Sequence, residues 1–202
     1  MANTNALSGQ TLIGALWPEG SLVKPLRLAI LALAGTALLT LSAKVQVPFW
    51  PVPLTMQTFA VLAIGMAYGW RLGGATLLLY MAEGAAGLPV FAGTPEKGIG
   101  LAYMMGGTGG YLLGFVAAAM LTGWLAERGW DRKATTTALA MLLGNIVIYV
   151  PGVLWLGALF GWDKPILAWG LTPFLAGDLV KLLLATAVMP MAWTALRRWR
   201  QD

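Results

Sequence analysis

Residues 171–193 read LTPFLAGDLVKLLLATAVMPMAW, an apolar run with two formal charges, Asp178 and Lys181. About 20 mostly apolar residues in helical form span a bilayer core, so this run is long enough to cross one. A charge at the centre of such a helix costs about 2.5–3.5 kcal/mol on insertion scales. Both charges should therefore face the inside of a bundle, and a spacing of three puts them on one helix face. The run predicts a membrane helix packed among others, with an acid and a base turned toward something polar.

The rest of the chain agrees. Of its 202 residues 58% are hydrophobic and 10% charged, with a mean hydropathy of +0.74. A soluble domain carries roughly a quarter charged residues, so the expected solvent is the lipid bilayer. The 26 glycines and ten tryptophans fit, because Gly is favoured in membrane helices and Trp at membrane interfaces. The net charge of +5 is spread between the apolar runs, which is a topology signal and not a nucleic-acid patch. The absence of Cys and His excludes disulfides and thiolate chemistry and removes the commonest general base and metal ligand. No metal site or cofactor is expected. With no His and with Ser8, Ser21 and Ser42 as the only serines, a Ser–His hydrolase is excluded. No GxxxxGK[ST] occurs, so the chain should not bind ATP through a P-loop.

Six membrane helices are predicted, over 26–47, 54–70, 72–90, 106–126, 134–160 and 171–196. The prolines at 48, 51 and 53 end the first. Pro89 ends the third, and Pro151-Gly152 interrupts the fifth, suggesting an irregular wall there. With the N-terminus inside, inner segments hold Lys24, Arg27, Arg71, Arg128, Arg132, Lys133, Arg197, Arg198 and Arg200, whereas outer segments hold only Lys44, Lys97 and Lys164. That bias puts both termini in the cytoplasm. Residues 1–25 lack a basic n-region and are broken by Pro18 and Glu19, so they read as a cytoplasmic or interfacial lead-in to one domain, 26–202.

Several polar residues sit within these helices. Lys181 suits a carboxylate or carbonyl oxygen, and Asp178 suits N–H donors; a silent ion pair and a proton relay are the alternatives. Glu83 lies near the outer end of the third helix, where it either snorkels to the interface or lines the top of a pocket. Thr55 and Gln57 fall in the first turn of the second helix. Thr55 either caps that helix or contacts ligand; the Gln57 amide needs a partner in an apolar setting. Residues 106–115, GGTGGYLLGF, combine a Gly110/Gly114 packing pair with Thr108 and Tyr111, which could flank a ligand. Asn145 and Tyr149 share a face of the fifth helix, either as glue between helices or as cavity lining.

Four stretches, LSAKVQVPFWPVPLTMQTFAVLAIG, YMAEGAAGLPVFAG, GGTGGYLLGF and GDLVK, together resemble the BioY family, the biotin-capturing S component of energy-coupling-factor (ECF) vitamin transporters. They run from the first predicted helix to the sixth. The resemblance implies an all-α, six-transmembrane-helix S-component bundle in the bacterial cytoplasmic membrane, with a biotin pocket near its extracellular side. It implies biotin as transported substrate and no catalysis by the chain itself. The acid and base of the family's GDxxK motif fall here on Asp178 and Lys181. Residues 91–105 resemble the family's lid, expected to order over biotin. ECF coupling and ATPase subunits are the implied partners, and a homo-oligomer stays open. One departure concerns the alanines that the family commonly spaces by four in its first helix: Ala29, Ala32, Ala34 and Ala37 form no AxxxA here. The alternative function is a stand-alone proton-coupled carrier with a relay through Asp178, Lys181 and Glu83.

Overall fold

The computed structural model describes residues 10–17, 24–47 and 50–199. Pro18, Glu19, Pro48, Arg200 and the lead-in before Gln10 lie outside the described residues. A short helix, α1 (Leu12–Leu16), is capped by Thr11 and buries Leu12 and Ala15 in the core. It is followed by α2 (Lys24–Lys44). Two short strands, β1 (Gln46–Val47) and β2 (Leu54–Thr55), then pair antiparallel, Gln46 with Thr55 and Val47 with Leu54. After them come α3 (Gln57–Ala85), α4 (Gly100–Met104), α5 (Gly109–Glu127), α6 (Ala134–Phe160), α7 (Ile166–Gly170) and α8 (Thr172–Trp199).

Five stretches are long and apolar enough to cross a membrane by length and composition, among them α3. The second and third predicted helices are the two limbs of α3, 57–68 and 70–85. They meet at Gly69, whose φ of 81° and ψ of 172° are non-helical. The limbs fold back on each other. Gln57 hydrogen-bonds Tyr80 across the hairpin, and a Cβ on Gly73 would lie 3.1 Å from the Gly65 Cα. A straight helix would separate positions 65 and 73 by about 12 Å. Gly69 suits the turn because an L side chain rarely adopts that φ. The Glu127 Oε1 accepts from the Trp70 N–H at 3.2 Å and so caps the second limb.

Several predicted boundaries shift. The first helix ends at Lys44 and the second begins at Gln57, because residues between them form the β1–β2 hairpin. The third ends at Ala85, short of Pro89; the fourth starts at Gly109 and the sixth runs to Trp199. The fifth is α6 at the predicted bounds, but Pro151 sits inside a continuous helix and does not break it. The irregular wall expected there is absent. Gly114 lets α5 close on this turn, since a Cβ there would lie 3.1 Å from Pro151 Cγ and 2.9 Å from Ile148 Cα. Tight packing by the neighbouring helix compensates the hydrogen bond that proline cannot donate.

The bundle is apolar outside as well as inside. Leu33, Leu41, Leu142, Ile146, Leu154, Leu179, Leu183 and Met191 are exposed, while Thr122, Thr137, Gln57 and Asp178 are buried. Such a distribution fits lipid and would be costly in water. At one end of the bundle α1, the Gly69 turn, the α5–α6 turn and the C-terminal part of α8 converge. There Trp193 Nε1 donates to the fully buried Asp131 at 2.5 Å, and Arg132 stacks on Trp193 at 4.6 Å. Lys24, Arg27, Arg71, Arg128, Lys133, Arg197 and Arg198 belong to that end; Lys44, Lys97 and Lys164 belong to the other.

Candidate binding site

A cavity lies at the end that holds Lys44 and Lys97. Its walls combine β2 and the start of α3 (Thr55, Gln57, Thr58), the connection after α3 (Phe91, Ala92), α4 (Tyr103), α5 (Tyr111, Leu112, Phe115), α6 (Ile148, Tyr149) and α8 (Phe174, Lys181). Val52, Pro53 and Thr108 complete the lining. These elements converge because the polar residue of each long helix near this end points inward, away from lipid.

Lys181 stands in the wall of the cavity, and Asp178 lies beside it, facing the neighbouring crevice between α6 and α8. The Lys181 ammonium is 2.9 Å from Asp178 Oδ1 and donates to Thr58 Oγ1 at 2.8 Å. Thr58 lies 3.3 Å from the same Asp178 oxygen, and the Tyr149 hydroxyl donates to the other carboxylate oxygen, Oδ2. The two charged side chains are only 7% and 11% exposed. The carboxylate is thus satisfied on both oxygens, while Lys181 uses two donors within this network and lines the cavity. Such a base can donate to an acceptor on a ligand without leaving its own carboxylate unpaired.

Apolar and aromatic surfaces surround this network. Phe91 is wedged against Gly84, stacks on Tyr103 with ring centroids 5.0 Å apart, and meets Tyr80 edge-on at 5.3 Å. Any side chain at position 84 would overlap the Phe91 ring. Tyr111 meets Tyr149 edge-on and donates its hydroxyl to Gly170 O at 2.7 Å, tying α5 to α7. Outside the membrane-spanning helices, burial pushes the Tyr103 hydroxyl above its ordinary range, so it stays a neutral wall.

Of the residues singled out from sequence, Asp178, Lys181, Tyr149, Thr55, Gln57 and Tyr111 come together at or beside this cavity. Thr55 also caps, its Oγ1 accepting from Gln57 N at 3.2 Å. The Gln57 amide donates to Tyr80, whose hydroxyl donates onward to Val90 O, each at 2.8 Å. Two residues sit elsewhere. Glu83 does not line the cavity; its Oε1 accepts from Thr36 on α2 at 3.1 Å. Asn145 lines a separate crevice between α6 and α8, behind Asp178, where its buried Oδ1 has no partner. Thr58, Phe115 and Phe174 went unnoticed in the sequence. Thr58 had a signal: it follows Gln57 at the head of a helix and stands three from Thr55. The two phenylalanines look like any lipid-facing aromatic until the packing is known.

A helical bundle with an apolar exterior, and a cavity near one face with a buried acid–base network beside it, defines a multi-pass membrane protein. The family model described as "BioY family" matches residues 15–198. The chain belongs to the BioY family. It is 39% identical over 153 residues to a probable biotin transporter BioY of Pyrococcus horikoshii, covering 76% of this chain and 86% of that protein. It is 35% identical over 154 residues to the biotin transporter BioY of Thermotoga maritima, covering 76% and 88%. Its fold matches a crystal structure of the S-component for biotin from an ECF-type ABC transporter, with a TM-score of 0.66 at 21% identity over 90% of this chain and 96% of that one.

Proposed function

We propose that this chain captures biotin from outside the cell and passes it across the membrane as the S component of an ECF-type transporter. The observation that carries the reading is the cavity lined by Lys181, Thr58 and Tyr149, with Asp178 bonded to all three behind its wall. Biotin joins an apolar thioether ring to a ureido group and a carboxylate tail. Phe91, Phe115 and Phe174 supply apolar walls, Lys181 a remaining N–H donor, and the Thr58 and Tyr149 hydroxyl oxygens acceptors, while Asp178 holds Lys181 and Tyr149 in place. In this reading Thr55, Gln57 and Tyr111 shape the cavity, and Glu83 and Asn145 support packing around it.

Charge bias supports the topology. The end rich in Lys and Arg faces the cytoplasm with both termini, and the cavity opens toward the opposite face. Energy is supplied by ECF coupling and ATPase subunits, which engage the chain from outside the cavity. A stand-alone proton relay draws less support, because Glu83 is tied to α2 and stands apart from Asp178 and Lys181. The test is uptake of labelled biotin by a biotin-requiring bacterium lacking its own transporter. Uptake that needs the chain, requires co-expressed ATPase subunits and survives a protonophore with ATP maintained bears out the proposal. Uptake by the chain alone that collapses with the proton gradient favours the carrier, and no uptake under either condition overturns both.

A further inference from the structure

Lys44 ends α2 at the cavity end of the bundle, and its ammonium is engaged entirely by one distant turn. It donates to Phe91 O at 2.9 Å, to Thr94 O at 2.9 Å and to Thr94 Oγ1 at 3.0 Å. An ammonium has three N–H donors, and all three are spent on this turn. The turn is internally closed as well. The Thr94 hydroxyl donates to Phe91 O at 2.6 Å, and Lys97 N donates to Gly93 O at 2.8 Å. Phe91 and Thr94 are 1% and 6% exposed, so the acceptors belong to buried residues that water does not freely reach. The same turn carries Phe91 and Ala92 into the cavity wall. A cation is favoured at the C-terminal end of α2, where unpaired carbonyls converge.

The turn therefore forms part of the cavity roof, and one side chain from another helix fastens it. Moving the 91–94 turn as a unit away from the wall requires breaking the three Lys44 bonds. We propose that Lys44 is a positioning residue that clamps the 91–94 turn over the ligand and sets how slowly biotin leaves. This rests on the biotin-capture reading. The side chain touches no cavity surface itself and acts only through Phe91 and Thr94. Its loss leaves the Asp178–Lys181 network intact, so arrival of ligand is not slowed while departure is accelerated.

The experiment uses the full-length protein in detergent, with Lys44→Met, which keeps an apolar stem and removes the donors, and Lys44→Arg. Dissociation of radiolabelled biotin is followed after a cold chase, association is measured separately, and hydrogen exchange over residues 91–98 is read without biotin. Charge-assisted hydrogen bonds of this kind correspond to roughly tenfold to a hundredfold in rate. Lys44→Met should release biotin faster by that factor, associate within about threefold of wild type and expose the turn to exchange, with α5 and α6 unchanged. Lys44→Arg should recover part of the slow release. Wild-type release and wild-type exchange in Lys44→Met overturn the clamp, as does slowed association with unchanged release. If Lys44→Met fails to fold, Thr94→Val removes one of the three acceptors, and unchanged release in that variant overturns the clamp. A wild type that does not bind biotin removes the functional reading instead, and the exchange data still decide whether Lys44 holds the turn.

Discussion

Neutralising the helix-eight pair in two ways separates a structural ion pair from a ligand-binding one. Lys181→Met leaves the Asp178 carboxylate, 5% exposed, with only Thr58 and Tyr149 as partners. Asp178→Asn leaves the Lys181 ammonium without its counter-ion 2.9 Å away. Breaking a buried pair from one side costs about 3–5 kcal/mol, because a desolvated charge loses its partner. Removing both charges is close to neutral, so Asp178→Asn/Lys181→Met should recover most of that loss. Binding should not recover with it. The charge-assisted hydrogen bond left to the third Lys181 donor, worth about 1.5–3 kcal/mol, amounts to at least about tenfold in affinity. The assay is thermal unfolding of the purified protein beside equilibrium binding of biotin, on wild type, both single variants and the double variant. The double variant should melt near wild type and bind at least about tenfold more weakly. A double variant that binds like wild type would falsify the assignment and leave Asp178 and Lys181 a silent pair.

Other outcomes follow from particular contacts. Gly69→Ala should lower stability by about 1–2 kcal/mol, because φ is +81° there and the new Cβ meets Glu127 Oε1 at 2.5 Å; a melting temperature equal to wild type would show that the hairpin turn tolerates a side chain. Gly84→Val should push Phe91 out of the wall and weaken biotin binding at least tenfold, measured by titration; unchanged affinity would separate Phe91 from the site. Burial raises the Asp131 carboxyl from an ordinary value of 3.8 to about 6, with Trp193 and Arg132 opposing. The folded bundle then holds that proton more tightly than the unfolded chain. This stabilisation is complete below about pH 4 and is lost as pH rises through 6, a change of at most about 3 kcal/mol. Melting temperature should therefore rise on going from pH 7.5 to 5, and Asp131→Asn should flatten that slope; an unaltered slope would assign it to other groups.

What could be read in advance was the part dictated by solvent. Length and apolarity located the long apolar helices, with α3 read as two, and the rarity of charge in lipid singled out Asp178 and Lys181 before any contact was known. Tyr149, four residues after Asn145, was likewise legible as an inward polar group. Its neighbour Asn145 was not separable from it by spacing alone: both line the crevice, and only Tyr149 also reaches the cavity. Pro151 misled because its effect depends on the glycines of α5, which lie far away in sequence. Residues 45–55 misled in the opposite direction, since a two-residue strand pair is too short to show a period. Glu83 looked like a site residue because an acid near a membrane helix end is costly. Thr36 on α2 meets that cost, and nothing in the local sequence of either residue announces the pair. Lys44 read only as an outer positive charge until the Phe91–Thr94 turn was seen to fold beneath it.

The most direct test of the account is calorimetric titration of the detergent-purified protein with biotin, with thiamine and riboflavin as controls. Tight, saturable binding of one biotin per chain is expected, with no heat of binding for either control. A folded protein that takes up none of the three, or that binds thiamine or riboflavin as well as biotin, would contradict it.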